Sequence, residues 1–460
     1  MEKRDSREIL FKNKTRAQEK FRSLMEDRSE AECNLDFNPW ELTPGDLCGV
    51  VLTLFCKLDL VEFLGLEPEA FLDFILAVET KYLCNPYHSF HHAVDVCNFL
   101  YYSLSELGIS YCLSQEDILT LMISGLCHDI GHPGVNNLYQ INAKTQIALD
   151  FDGVSVLENY SCRLTSELIA SFKLFQCPSS KCTTSESTLK KWITENILAT
   201  DMAFHFSQLA DISNILEEWP STAPRSFCPN DSGIVSGCEE ELVAEPLRRK
   251  LCKLLLHAAD ISNAVRPWTL CKSWSDLVVS EFFHQGDLER VNNLPISPNM
   301  DRINANQPQI ALDFEELIVR PYFEFLADFI PTCCVFLENL SENRKEWLEL
   351  MSLVPSAARR DSVDGALTKA KRVSFASGTV LVPARFREDA RHFSSDFSNG
   401  FGRRTFSRTA SLLRNSDKRK GFLPGQVKGF GKLLDDKHIV TAESLASALE
   451  LLSIESPTVS

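Results

Sequence analysis

Two segments, 87-YHSFHHAVDV-96 and 127-CHDIGHPGVNN-137, decide which fold and which chemistry this chain is expected to have. Each contains two histidines that are four residues apart, His88 with His92 and His128 with His132. On a helix this spacing places both imidazoles of a pair on one face. Asp129 follows the first histidine of the second segment and adds a carboxylate oxygen. Because imidazole and carboxylate groups suit zinc, magnesium or manganese, the segments indicate a hydrolytic metal site.

A further candidate ligand, Asp260, lies far downstream in 257-HAADISN-263. The helical segment that contains it is strongly apolar, and a buried carboxylate costs free energy unless it is paired or bound to a metal. Together with His92, His128 and Asp129 it completes a set of two imidazoles and two carboxylates.

Helical periodicity dominates the chain between Leu35 and about Pro355, where apolar residues recur at intervals of three and four. The strongest such segments are 68–82, 115–130, 246–262 and 314–330. Strand-like alternation bounded by hairpin turns is nearly absent. The sequence therefore predicts an all-α fold, with loops at 177–187 and 219–241 where Pro, Gly and Ser accumulate.

Composition divides the chain into three parts. Residues 1–32 form a charged N-terminal extension that lacks a sustained apolar stripe, which predicts a frayed or solvated helix. Residues 33–355 form the globular domain. Residues 356–460 form a basic tail rich in Ser, Arg and Phe, predicted to be largely disordered, with a short amphipathic helix near 441–452.

The net charge of −16 is unevenly distributed. The tail from Ser356 contains 18 Lys+Arg and 11 Asp+Glu, so the acidic excess lies in the part of the chain before it. An acidic body repels nucleic-acid phosphates, and DNA or RNA is therefore not expected as a partner. A small anionic substrate would need local positive charge, which a bound divalent ion provides.

The 16 cysteines do not indicate a disulfide framework, because the chain has no C-x-x-C pair and its N-terminus lacks an apolar signal core. The longest apolar run, 48–67, is interrupted by Lys57, Asp59 and Glu62, so no transmembrane segment is expected. Reduced thiols in a cytoplasmic protein are the better interpretation.

In these motifs the chain resembles class I 3′,5′-cyclic nucleotide phosphodiesterases, within the wider group of HD-type metal hydrolases. The resemblance covers roughly Leu35 to Pro355. It includes Y-H-N-x-x-H-A-x-D-V from Tyr87, with Ser89 in place of Asn, and H-D-x-x-H-P-G-x-x-N intact from His128. The other matching motifs are S-V-L-E-N at 155–159, A-T-D-M at 199–202, E-F-F-x-Q-G-D-x-E at 281–289 and S-P-x-x-D-R at 297–302.

The resemblance implies a compact all-α catalytic domain with two divalent ions. The first ion, usually Zn²⁺, would be held by His92, His128, Asp129 and Asp260. Asp129 would also bridge to a second ion, usually Mg²⁺ or Mn²⁺, and the pair would activate a water for attack on phosphorus. His88 would be the general acid that protonates the departing ribose oxygen. The residues that would orient waters and ligands are His132, Asn137 and Glu158.

The resemblance also implies a purine-binding pocket, to which four residues of this chain correspond: Tyr87, Asn263, Trp274 and Phe314. The glutamine of the family falls at Ala311, whose side chain can neither donate nor accept a hydrogen bond. Gln307, one helical turn earlier, could reach the pocket instead. Cys271 replaces the pocket tyrosine. These departures leave the preference for cAMP or cGMP open, together with the catalytic efficiency.

The function predicted from these residues is metal-dependent hydrolysis of a 3′,5′-cyclic nucleotide (cAMP, cGMP or both) to the nucleoside 5′-monophosphate in signal transduction. One alternative is a degenerate phosphodiesterase that acts as a nucleotide-binding or scaffold protein with little turnover. Another is an HD-type phosphohydrolase of noncyclic nucleotides, against which the motifs at 281–289 and 297–302 argue.

The tail contains two kinds of short signal. Arg372-Val373-Ser374-Phe375 resembles the docking motifs of type-1 protein phosphatase, which an extended segment can present to a sheet edge. Ser407 and Ser411 each follow an arginine by three residues, as in the sites of basophilic kinases. Because such motifs are short, chance occurrence is the favoured interpretation.

Overall fold

The structure, a computed structural model, describes residues 2–26, 34–177, 180–220 and 243–353, and the backbone of two strands at 371–375 and 378–382. The α-helices are α1 Glu2–Glu26, α2 Pro44–Lys57, α3 Leu60–Phe63, α4 Pro68–Glu79, α5 Phe90–Ser105, α6 Gln115–Cys127, α7 Asn137–Asn142, α8 Gln146–Asp150, α9 Val156–Phe172, α10 Glu186–Leu198, α11 His205–Glu218, α12 Glu245–Asp260, α13 Trp268–Val291, α14 Gln307–Phe314, α15 Arg320–Phe329 and α16 Cys334–Leu353. A π-helical turn, Glu315–Val319, joins α14 to α15. Short 3-10 helices lie at Pro39–Glu41, Ile109–Cys112, Met202–Phe204, Ser262–Val265 and Pro331–Cys333.

The all-α fold predicted from the sequence is confirmed for the described body of the chain. The four strongest periodic segments correspond to α4, α6, α12 and the run from the π-turn through α15. No helix in the described ranges is long and apolar enough to cross a membrane. Residues 221–241 of the loop predicted at 219–241, the helix near 441–452, Ser407 and Ser411 lie outside the described residues.

A hairpin in the tail was not predicted. Strands β1 Lys371–Phe375 and β2 Gly378–Val382 pair in antiparallel register, with Ser374 opposite Thr379. The segment resembling a phosphatase-docking motif therefore has an extended backbone, and it is already paired along one edge with its own chain.

Capping boxes fix the starts of the two central helices α2 and α6. In α2, Thr43 Oγ1 accepts from the Asp46 amide at 3.3 Å, while an Asp46 oxygen accepts from the Thr43 amide at 3.0 Å. Ser114 and Asp117 form the same reciprocal pair at the start of α6. Each box satisfies backbone donors that the first helical turn leaves without a partner.

Helices α6 and α12 are joined at their N-terminal ends by a buried ionic cluster. Asp117 is fully buried, and it accepts from Arg248 Nε at 2.5 Å and from Arg249 Nη1 at 3.1 Å. His128 and Asp260 each lie 11 residues beyond these contacts on their own helix, a rise of about 16 Å. The two helices therefore run side by side in the same direction, and their C-terminal ends meet in one place.

Helix α1 packs against the body, contrary to the solvated helix that its charge pattern predicts. A Cβ atom added to Gly49 of α2 would lie 2.6 Å from the Ala17 carbonyl oxygen, so the backbones of α1 and α2 approach closely. Lys14 and Arg16 of α1 reach Asp73 and Asp46 at 2.6 and 2.9 Å. Ala17 is fully buried in this contact, and Phe21 and Leu24 of the same helix pack against the core, which makes a short apolar stripe within a mostly charged helix.

Candidate active site

Four side chains from separate parts of the chain converge at the C-terminal ends of α6 and α12 and on the first turn of α5. Their ligand atoms, one from each of His92, His128, Asp129 and Asp260, all lie within 4.8 Å of one another. His92 Nε2 lies 3.1 Å from an Asp260 oxygen, and His128 Nε2 lies 3.1 Å from an Asp129 oxygen. The structure thus brings together all four side chains that the sequence singled out as metal ligands.

The local backbone fixes the direction of these ligands. His128 Nδ1 donates to the Gly125 carbonyl oxygen at 2.9 Å, which leaves the Nε2 lone pair directed into the cluster. Gly131 turns the chain immediately afterwards with a positive φ of 79°. A Cβ at that position would lie 2.6 Å from Leu164 and 2.8 Å from Tyr160, so the turn requires glycine.

The donor set fits a divalent cation. The two ring nitrogens His92 Nε2 and His128 Nε2 face each other at 3.3 Å, and the buried Asp129 Oδ2 has no hydrogen-bond partner. Burial raises the pKa of Asp260, but hydrogen bonds from His128 and His92 outweigh burial and hold that pKa well below its usual value. A buried carboxylate held in the anionic form beside two imidazoles is a ligand set for zinc or a similar ion.

His88 lies beside this cluster and forms a close pair with Glu281 of α13. The Glu281 carboxylate accepts from His88 Nδ1 and also from the backbone amides of Tyr87 and His88, at 3.1 and 3.2 Å. Burial lowers the pKa of His88, but the Glu281 charge outweighs burial and raises that pKa to about 9. The ring is therefore protonated at neutral pH and can donate a proton.

His132 stacks on His88 with ring centroids 3.8 Å apart. Burial and the neighbouring His88 charge lower the pKa of His132 to about 3, so His132 stays neutral. Asn85 donates to the backbone carbonyl oxygens of both histidines, at 2.8 and 2.7 Å, and fixes the loop and the turn relative to each other.

A polar cleft of about 340 Å³ opens in front of the cluster. Glu158 lines it, and both of its carboxylate oxygens accept from Asn137 Nδ2, at 3.2 and 3.0 Å. Burial, followed by the negative charge of Asp201, raises the pKa of Glu158. Asp201 itself accepts from Ser155 Oγ at 2.8 Å and from the Ala203 amide at 2.9 Å, so it caps the 3-10 helix that follows.

A second, mostly apolar cleft of about 590 Å³ begins at Asn263, which donates from Nδ2 to the Tyr87 hydroxyl at 3.0 Å. Ala311 and Phe314 line this cleft as the sequence predicts. Gln307 is not among its lining residues and donates instead to Ser275 Oγ at 3.0 Å.

Two aromatic residues expected in the pocket pack behind this second cleft. Trp274 is almost fully buried, and its ring meets the Tyr87 ring edge-on at 5.7 Å between centroids. Tyr87 in turn packs on the His92 imidazole at 4.7 Å. Both aromatic residues therefore support the candidate metal ligand His92 and the wall of the cleft.

Sequence reasoning missed three residues of the site: Asn85, Thr200 and Glu281. Thr200 lines the polar cleft, and Glu281 holds His88. Both belong to motifs quoted above, A-T-D-M and E-F-F-x-Q-G-D-x-E. The motifs could therefore be recognised in the sequence, but the roles of these two residues could not. Asn85 lies two residues before Tyr87, where the first motif begins, and has no separate signal.

Two imidazoles and two carboxylates on a helical scaffold, beside a protonated histidine, have the composition of a metal-dependent hydrolase site. A family model described as 3′5′-cyclic nucleotide phosphodiesterase matches residues 87–340. The chain belongs to this family, which confirms the resemblance predicted from the sequence motifs.

Individual relatives agree with the family match. The 3′,5′-cyclic-nucleotide phosphodiesterase regA of Dictyostelium discoideum is 31% identical over 335 residues, covering 71% of this chain and 39% of that protein. The high affinity cGMP-specific 3′,5′-cyclic phosphodiesterase 9A of Mus musculus is 29% identical over 320 residues, covering 69% and 55%. The chain thus matches about two fifths to just over half of the length of these two relatives.

The fold agrees with a solved structure of the same class. The crystal structure of the phosphodiesterase domain of the RhoPDE fusion protein from the choanoflagellate Salpingoeca rosetta superposes with a TM-score of 0.60 at 25% identity. The superposition covers 72% of this chain and 98% of that domain, so the shared fold extends over nearly the whole of that domain.

Proposed function

We propose that this protein hydrolyses a 3′,5′-cyclic nucleotide to the nucleoside 5′-monophosphate by breaking the phosphorus–O3′ bond. The observation that carries the proposal is the convergence of His92, His128, Asp129 and Asp260 within 4.8 Å, directly beside the His88–Glu281 pair. The family match over residues 87–340 supports the same reaction.

In this reaction His88 acts as the general acid. The departing O3′ develops negative charge as its bond to phosphorus breaks, and a proton from the His88 ring neutralises it. Glu281 holds the ring by Nδ1, so the proton is delivered from Nε2. Neutral His132, stacked on the same ring, keeps it in position without competing for the proton.

Two divalent ions complete the proposed site. His92, His128, Asp129 and Asp260 would hold the first, proposed to be Zn²⁺, and Asp129 would extend to the second, proposed to be Mg²⁺ or Mn²⁺. Bound ions would supply Lewis acidity, which lowers the pKa of water and neutralises charge on the phosphate. His132, Asn137 and Glu158 line the polar cleft and would orient water there.

The test is release of 5′-AMP and 5′-GMP from the cyclic nucleotides by metal-loaded protein. We expect His128→Ala and Asp260→Asn each to lower kcat by about 10³-fold or more, because each removes a ligand of the ion that activates water. His284→Ala is the matched control, since His284 is an exposed histidine on α13 outside the site. Full activity in either ligand variant would contradict the proposal.

The same assay separates the degenerate alternative. A protein that acts mainly as a nucleotide-binding scaffold would bind cyclic nucleotide and metal without measurable release of monophosphate. The intact ligand set and the protonated His88 both favour turnover. A competition assay with noncyclic nucleotides tests the other alternative, an HD-type phosphohydrolase that acts on noncyclic nucleotides.

We propose a cytoplasmic location and two regulatory contacts for the tail. Reduced cysteines support the location, and the thiols of the described residues are all free. The Arg372–Phe375 backbone is a strand with one edge paired to β2, so a type-1 phosphatase would have to use the other edge or displace β2. Ser407 and Ser411 remain proposed kinase sites outside the described residues.

A further inference from the structure

The apolar cleft of about 590 Å³ has little hydrogen-bonding capacity left for a ligand. Most of its wall is hydrocarbon from three helices: Val278, Val279 and Phe282 of α13, Ile310 and Phe314 of α14, and Leu340 of α16. Asn263 at its mouth is three residues from Asp260, so the cleft adjoins the metal ligands. A flat aromatic base attached to a cyclic phosphate at the metal cluster would reach into this cleft.

The charged and amide groups of the cleft already bind protein groups. Arg344 donates to Glu315 through Nη1 and to Glu316 through Nη2 at 3.2 Å. Asn343 donates from Nδ2 to the backbone carbonyl oxygens of Ala264 and Arg266, at 2.9 and 2.8 Å. The remaining Asn343 oxygen is buried and makes no hydrogen bond to a protein group.

The smaller polar groups are engaged as well. The Cys271 thiol is hydrogen-bonded to Trp347, and burial raises the pKa of that thiol to about 12, so it stays neutral. Ser275 Oγ accepts from Gln307 Nε2 at 3.0 Å. A neutral thiol is a weak hydrogen-bonding group, and a hydroxyl can rotate to suit either a donor or an acceptor.

Position 311 faces this cleft with a methyl group. Ala311 packs with Cys271 and Trp347, and it offers no amide to a base. Asn263 donates one Nδ2 hydrogen to Tyr87 and keeps its second Nδ2 hydrogen and its carbonyl oxygen. Because the Tyr87 hydroxyl can accept or donate, this amide can turn over and offer its donor and acceptor to adenine or to guanine, so it does not separate the two bases.

From this arrangement we infer that the cleft holds the purine by stacking and apolar contact and does not distinguish adenine from guanine. The protein then hydrolyses cAMP and cGMP with comparable efficiency. This inference rests on the proposed function and specifies its substrates. Apolar pockets discriminate weakly between ligands of similar shape, whereas a site built to hydrogen-bond its ligand rejects one lacking the matching group by about 10⁴-fold or more.

The experiment compares kcat/KM for cAMP, cGMP and the cyclic nucleotide of unsubstituted purine, which lacks any exocyclic donor or acceptor. We expect the three values of kcat/KM to lie within about tenfold of one another, because the cleft does not recognise the edge of the base by strong hydrogen bonds. A preference of more than about 100-fold for one of them would overturn the inference.

Two substitutions at one position sharpen the test. Ala311→Gln adds an amide to the cleft, and we expect it to change the cAMP to cGMP ratio by about tenfold or more. Ala311→Leu is the matched control: it adds a side chain of similar size without polar atoms, so both substrates should change together. An unchanged ratio in Ala311→Gln would also overturn the inference, because the base would then lie away from position 311.

The outcomes distinguish the two proposals. If neither wild type nor variant releases monophosphate from any of the cyclic nucleotides, the proposed function fails. If wild type hydrolyses one purine nucleotide rapidly and the other more than about 100-fold more slowly, only the inference about base selection fails.

Discussion

His88, the proposed general acid, is paired with a residue that is 193 positions away in the chain, Glu281. The carboxylate outweighs the effect of burial and raises the pKa of His88 to about 9. A general acid must be protonated to act, so kcat/KM should hold through neutral pH and fall as the pH rises through that value.

Glu281→Gln should move this fall to lower pH, because burial, which lowers the pKa of His88, is then opposed only by the smaller effects of Asp129 and Asp260. The measurement is the pH profile of kcat/KM for both proteins. Glu342→Gln, which changes an exposed carboxylate paired with Lys345, is the matched control and should leave the profile unchanged. A Glu281→Gln profile that overlays the wild-type profile would show that another group supplies the proton.

At the residue scale, local spacing predicted the candidate metal ligands, but it did not predict distant contacts such as that of Glu281 with His88. The four-residue intervals and the His128-Asp129 pair are visible in the sequence, because helical geometry relates neighbours directly. Glu281 meets His88 only after the chain has folded, and no periodicity relates residues so distant. Gln307 was considered for the pocket on sequence proximity, whereas the fold directs it to Ser275.

At the scale of elements, Asp117 couples the two helices that deliver His128, Asp129 and Asp260. It is fully buried between Arg248 and Arg249. Asp117→Asn keeps the shape but removes the charge, and leaving buried arginines uncompensated should lower the free energy of unfolding by about 3 kcal/mol. Urea unfolding measures this change.

Asp287→Asn provides the control for this prediction, because Asp287 pairs with Arg290 and Arg302 on the exposed surface. Surface pairs contribute little, so its urea midpoint should match that of wild type. Equal midpoints for all three proteins would mean that the buried cluster does not hold α6 against α12.

The contact between α1 and α2 gives a second prediction at this scale. A leucine at position 49 cannot fit, because its Cβ would lie 2.6 Å from the Ala17 carbonyl oxygen. Gly49→Leu should release α1 and cost about 1–3 kcal/mol, as overpacking usually does. Amide hydrogen exchange should then rise across residues 9–26. Ser273→Leu, on the exposed face of α13, should leave that exchange unchanged.

Helices with an apolar stripe were predictable, since burial of one face leaves a period of 3.6 in the sequence. Helix α1 approaches Gly45 and Gly49 of α2 closely and packs Ala17, Phe21 and Leu24 against the core, while most of its own residues are charged or polar. A stripe of three residues is too short to stand out in so polar a helix, so the helix was predicted while its docking was not.

On the scale of the whole molecule, the candidate metal cluster links parts of the chain that are far apart in sequence. His92 comes from α5, His128 and Asp129 from the end of α6, and Asp260 from the end of α12. An ion that binds only the folded arrangement stabilises it by mass action, by about 2.7 kcal/mol when its concentration is a hundred times Kd.

Removing metal with a chelator should therefore lower the Tm of the wild-type protein by several degrees, and adding Zn²⁺ back should restore it. His128→Ala lacks one ligand, so its Tm should respond little to either treatment. The measurement is thermal unfolding with elemental analysis of each sample. A wild-type Tm that stays constant while bound metal is lost would mean that the ion contributes nothing to joining these helices, because the histidine–carboxylate contacts within the cluster would then suffice by themselves.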